Sequence, residues 1–186
     1  MFKVFVDYPS YDEEYDIAER TTGAELPMLS DVLQRDEILR LQALVRRVPA
    51  APSVIHYALE LARLTRPGRD GGGSAAAAER PSGSSARRGV SELVDRLVNF
   101  GAGPRAVQFL LLGGKARAVM RGRKHVAIED IQAMAYPVLR HRILTNYAAE
   151  AEGYDPDRII RAILEAYPGP ETDESRDGRV RKILES

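Results

Sequence analysis

From Asp36 to Val48 the apolar side chains Ile38, Leu39, Leu41, Leu44, Val45 and Val48 return every three or four positions. That spacing collects them along one side of an α-helix, whereas on a strand it would scatter them over both faces. The same period recurs along most of the chain. Pro49 and Pro52 close the first block, and a second apolar-striped helix is expected from Pro52 to Leu64. Val90, Leu93, Val94, Leu97 and Val98 mark a third helix, and Pro104 to about Met120 is the most apolar. Another is expected to open at Val126 and to run, kinked or restarted by Pro137, to Tyr147. A further one starts at Asp155-Pro156-Asp157 and ends near Tyr167. Ser10 and Glu13 stand at capping-box spacing, so a helix also begins at Ser10, with Gly23 as its stop. Acids at Asp12, Glu13 and Glu14 suit its positive end.

Only Phe2-Lys-Val-Phe-Val6, bounded by Asp7-Tyr8-Pro9, reads as a strand. A lone strand leaves its backbone donors unpaired, and no convincing partner follows. The expected fold is therefore all-α, about seven helices in a bundle preceded by one orphan β-strand.

Residues 68–89 interrupt this pattern. Sixteen of these 22 residues are Gly, Ser, Ala or Pro, and none is Val, Ile, Leu, Met or aromatic. Such a stretch cannot bury enough apolar surface to offset its ordering entropy. It is read as a disordered insert within one domain, or as an interdomain linker. The last 16 residues are polar until Val180, Ile183 and Leu184, which a loosely held terminal helix would explain.

Composition excludes several chemistries. The 186 residues contain no cysteine, which removes disulfides, thiolate catalysis and Cys-based zinc sites. His56, His125 and His141 lack metal-ligand spacing, so no metal site is expected. No apolar run nears the ~20 residues of a membrane span, and Asp7 comes too early for a signal peptide. The expected compartment is the cytoplasm. Basic and acidic residues balance at 27 each but are segregated. Residues 1–31 carry eight acids against two bases, and residues 104–142 carry eight bases against two acids. Segregation of this kind steers a charged partner or simply coats solvated helix faces. The bases come without exposed aromatics or a reading helix, so nucleic acid is not the expected partner.

Gly113-Gly114-Lys115 imitates a phosphate loop, but the first Gly of that pattern would fall on Phe109 and its Ser/Thr on Ala116. Two glycines inside an apolar helix point instead to close approach by another helix. Arg140-His141-Arg142 reads as a basic seam toward a partner or as a solvated face. The strongest local feature is Phe100-Gly-Ala-Gly-Pro-Arg-Ala106. Gly103 fits an N-cap and Pro104 a first helical position. A helix start draws anions, and Arg105 adds a planar fork for phosphate oxygens. The plainer alternative is an ordinary Gly-Pro helix start with an exposed arginine.

Taken together, FKVFVDYP (2–9), DEILRLQALVRRVP (36–49), GAGPRAVQFLLLGGKARA (101–118), HVAIEDIQAMAYPVLRHRI (125–143) and NYAAEAEGYDPD (146–157) resemble the C-terminal part of a MoxR-family AAA+ ATPase. The resemblance implies that residues 1–9 are the last strand of a nucleotide-binding core and that residues 10–35 are a connecting helix and linker. It implies a helical lid domain over 36–167, with the insert 68–89, and a polar tail over 168–186. It makes Arg105 the sensor-2 residue that reaches the nucleotide phosphates, flanked by Pro104 and Gly103, where the family more often has Ser at the last position. ATP and Mg²⁺ would belong to the full-length protein, and none would be bound by this part alone. The chain has no phosphate loop or acidic Mg²⁺ motif, so ATP hydrolysis is expected only with the rest of the protein. The resemblance also implies hexameric rings and a chaperone-like role in protein maturation or metal-cofactor insertion. Partners with von Willebrand factor A domains go with that role. The competing reading is a free-standing helical module that binds protein or nucleic acid.

Overall fold

The computed structural model describes residues 1–23, 28, 30–68 and 85–169. In chain order these form α1 (Tyr11–Thr22), α2 (Arg35–Arg47), α3 (Pro52–Arg63), α4 (Ser85–Leu97), β1 (Val98–Phe100), α5 (Pro104–Met120), α6 (Ile128–Leu139), β2 (Leu144–Thr145), α7 (Tyr147–Ala151) and α8 (Pro156–Ala166). The all-α expectation holds. The segment 69–84 and the tail beyond residue 169 lie outside the described residues, and so do the corresponding expectations of an insert and a terminal helix.

Cap chemistry sets most helix starts. Ser10 and Glu13 form the expected box, with the Ser10 amide donating to Glu13 Oε2 at 2.8 Å. Those bonds hold the Glu13 carboxyl below its usual range. Pro stands at the first turn of α3, α5 and α8, where its missing amide costs nothing. Asp155 caps α8 by accepting from the Arg158 amide at 2.7 Å.

The core lies between α3, α4, α5, α6 and α8. Tyr57 and Leu61, Val94 and Leu97, Leu110, Ile131 and Leu139, and Ile159, Ile160 and Ile163 fill it from these five helices. Each such side chain contributes about 1.5–3 kcal/mol by leaving water. The glycine pair of α5 makes room for side chains of α6. A Cβ on Gly113 would stand 2.9 Å from Met134 Sδ, and one on Gly114 2.9 Å from Ile131 Cδ1. The pair therefore answers to packing, as its position mid-helix suggested.

Three of the eight bases in the run 104–142 pair with acids inside the fold. Asp130, fully buried, accepts from the Ala127 amide at 3.0 Å and from Arg117 Nη1 at 2.6 Å, and it also pairs with Arg123. Arg140 makes a two-bond fork with Asp157 at 3.1 and 2.7 Å. Arg142 donates to the Met1 carbonyl at 3.3 Å and lies 5.1 Å from the centre of the Phe109 ring. Of the two readings of Arg140-His141-Arg142, a partner seam or a solvated face, neither describes the arginines fully, since both are engaged within the chain while His141 is exposed.

Three details depart from expectation. The leading segment Phe2–Val6 carries no strand ladder, because among the described residues no neighbouring strand pairs with it. Only its start touches the body, with the Lys3 amide donating to the Pro137 carbonyl at 2.8 Å and Phe2 Cζ near Gly113, while Val4, Phe5 and Val6 are exposed. The helix expected to reach Tyr147 stops at Leu139, where the amides of Arg142 and Ile143 turn back to the Leu139 carbonyl. The next residues form β2, antiparallel to β1 with Val98 opposite Thr145 and Phe100 opposite Leu144. Finally, α4 starts at Ser85, inside the stretch expected to lack structure.

Candidate functional site

The site is the junction between β1 and α5. Phe100 ends the strand, and Gly101-Ala102-Gly103 turns the chain into the helix. Gly101 is dictated by close approach. A Cβ there would lie 2.3 Å from the Thr65 carbonyl oxygen and 2.7 Å from Arg66 Cα. The turn that ends α3 therefore presses directly on this loop.

Polar contacts fix the same crossing. The Ala102 amide donates to Thr65 Oγ1 at 2.8 Å, and the Thr65 hydroxyl donates to the Ala62 carbonyl at 2.7 Å. Arg66 Nε donates to the Ala102 carbonyl at 2.8 Å. Burial pushes the Arg66 guanidinium down from its usual value, and the neighbouring positive Arg63 adds to the shift. Ala102 and Ala106 are fully buried on either side of the helix start.

Gly103 takes the N-cap position with extended backbone and no side chain to cap the first turn. Pro104 follows, and the Ala106 amide donates to the Gly103 carbonyl at 2.9 Å. Arg105 occupies the second helical position and is exposed. Among the described residues its side chain has no hydrogen bond or ion pair, as is also true of Arg121 and Lys124 at the far end of α5, whereas Arg117, Arg123, Arg140 and Arg142 of the same basic run are engaged. An exposed guanidinium therefore sits at the positive end of a 17-residue helix dipole, just after a loop held from behind. That arrangement suits charge-assisted, forked bonds to an anion with several oxygens.

Other candidates do not assemble. Lys115 donates from Nζ to the Arg46 carbonyl at 3.2 Å, binding the last turn of α2 to α5 in mid-helix, where no phosphate loop could form. Among the described residues no three His, Asp or Glu side chains cluster as metal ligands. No described helix is long and apolar enough to cross a membrane. Sequence reasoning located Gly103, Pro104 and Arg105 but missed Thr65 and Arg66. Their signal, a Thr-Arg-Pro at the end of an apolar helix, was legible only as a helix stop.

Comparisons with known proteins follow the same lines. The sequence profile of the AAA lid domain matches residues 90–163. The chain is 30% identical to the chaperone MoxR1 of Mycobacterium tuberculosis over 92% of its own length and 40% of that protein's. It is 27% identical to the protein YeaC of Bacillus subtilis over 91% of itself and 45% of YeaC. The protein MoxR of Methylorubrum extorquens is 39% identical over 41% of the chain and 23% of MoxR. A crystal structure of a candidate ATPase from Cytophaga hutchinsonii superposes on 92% of the chain and 47% of that structure, with a TM-score of 0.74 at 25% identity. The chain thus spans less than half the length of these relatives.

Proposed function

We propose that this chain, whose residues 90–163 match the AAA lid domain, is the lid-bearing part of a MoxR-like AAA+ ATPase, senses bound ATP through Arg105 and couples hydrolysis to chaperone-like maturation of other proteins or insertion of their metal cofactors. The observation that carries this reading is the unpaired, exposed guanidinium at the second position of α5, just after a loop clamped from behind.

ATP fits the donor set in charge and shape. Arg105 offers a planar fork, and the start of α5 adds partial positive charge, both matched to β- and γ-phosphate oxygens. The described residues supply no Mg²⁺ ligand cluster, so the ion's carboxylates and the phosphate loop would come from the rest of a full-length protein. When bound there, ATP supplies the scissile phosphoanhydride. Arg105 holds charge as it shifts toward the leaving oxygen, and α5 carries the change into the bundle. In this reading the subunits assemble as hexameric rings in the cytoplasm, and von Willebrand factor A-domain proteins are partners. The segment 1–9 continues from the nucleotide-binding core, 10–35 connects it, and 36–167 is the moving unit.

The test is Arg105→Ala in the polypeptide that joins this chain to a nucleotide-binding core. ATP turnover should fall about 100-fold, as when a preorganised charge partner is removed, with the circular dichroism spectrum unchanged. Unchanged turnover overturns the assignment.

A further inference from the structure

Thr65 is an unusual side chain to bury. Among the described residues the fully buried polar side chains are Thr65 and Asp130, and Asp130 is matched by two arginines. Thr65 has no charge to neutralise. Its hydroxyl bridges two backbone groups from distant parts of the sequence, accepting from the Ala102 amide and donating to the Ala62 carbonyl. Arg66 takes the other polar group of the same residue, the Ala102 carbonyl, through Nε. Both the amide and the carbonyl of Ala102 are therefore gripped by adjacent residues of one turn. Gly101 lets that turn come into backbone contact. A valine at position 65 would fill similar space without the hydroxyl, so the hydroxyl contributes a fixed direction more than it contributes burial. Arg66 reinforces this at a cost, since it is partly desolvated beside Arg63.

Only two residues, Gly103 and Pro104, separate Ala102 from Arg105. Gly103 is extended, Pro104 has its φ locked by its ring, and Arg105 is already helical. A rotation of the Ala102 peptide therefore reaches the Arg105 side chain with little slack. We infer that Thr65 and Arg66 are positioning residues for Arg105: the end of α3 sets where α5 presents its guanidinium. This rests on the sensing role proposed for Arg105 and adds the element that aims it.

Two measurements test it. In the chain itself, Thr65→Val should raise amide exchange at Ala102 about tenfold or more, while Leu110 and Ile131 in the core stay protected. Thr65→Ser, which keeps the hydroxyl, should restore protection. In the polypeptide with the nucleotide core, Thr65→Val and Arg66→Gln should each lower ATP turnover about tenfold while Arg105 is present, and change it less than about twofold in an Arg105→Ala background. A purely structural role would give the same loss in both backgrounds, and that outcome overturns the inference. So does unchanged exchange at Ala102. If Arg105→Ala itself leaves turnover intact, the sensing role fails, and the exchange data alone then decide whether the clamp exists.

Discussion

Helices α2 and α8 have similar lengths and both carry an apolar stripe, the sharper one in α8, yet they end differently. In α8, Ile159, Ile160 and Ile163 are fully buried. In α2 no residue is buried, and Ile38, Leu41 and Leu44 keep 43%, 45% and 46% of their surface exposed. Helix α1 has a complete capping box and three acids in its first turn, and it buries nothing either. The contrast separates two requirements that usually coincide. Caps and periodicity decide whether a helix forms, while its packing depends on a surface that local sequence does not describe. The body from α3 to α8 supplies such surfaces within itself. The α2 helix meets that body through Val48, the residue that ends it, and the bond from Lys115 to the Arg46 carbonyl.

The sharpest way to break this comparison is to truncate one leucine in each region. Leu110→Ala removes a fully buried side chain from α5 and should cost about 2–5 kcal/mol. Leu44→Ala in α2 should cost about 0.5 kcal/mol or less, as surface substitutions do. Urea unfolding of both variants, read by circular dichroism, measures the difference. Equal losses would mean that the α2 face is covered in solution and that the two regions do not differ.

What the sequence made legible divides along the same line. The bounds of α5, the Gly113–Gly114 approach and the α1 cap could be read because each depends on residues within a turn or two. The β1–β2 pair was invisible. Three residues against two give no alternating pattern, and Val98 continues the helical spacing of α4. The early end of α6 was also hidden, because Pro137 sits in its last turn, where helix and restart look alike in sequence. At the candidate site Arg105 could be picked out from its Gly-Pro start. Thr65 and Arg66 lie more than thirty positions earlier, and their role exists only through contact with Ala102.

That clamp invites a second comparison at intermediate scale, between the two glycines that flank Ala102. Gly101→Ala drives a methyl group into the backbone of Thr65, which no side-chain movement can relieve, and should cost about 1–3 kcal/mol. Gly103 has nothing within 4 Å of a built Cβ, and its φ of −81° and ψ of −178° are those of a good N-cap. Gly103→Ser should therefore stabilise by a few tenths of a kcal/mol, by accepting from the first-turn amides. Thermal midpoints that move in opposite directions would support the clamp. A harmless Gly101→Ala would show that the α3 turn does not press on this loop.

The smallest effect lies at the seam between the leading segment and the body. Burial lowers the His141 imidazole from its ordinary 6.5, helped by Arg142, the Met1 amino group and Lys3. A base whose folded value is depressed takes up its proton more readily in the unfolded chain. Its contribution to stability is thus whole above the ordinary value and declines as pH falls below it. His141 is mostly exposed, so the decline should be slight. Melting midpoints measured from about pH 7.5 down to about pH 5 should fall a little more steeply for the natural chain than for His141→Gln. Lys3→Gln should soften the natural slope without abolishing it, because Lys3 is the last of the four contributors. Parallel slopes for all three would mean that residues 1–3 do not rest on the body near His141, leaving the whole stretch before α2 as detached as α1.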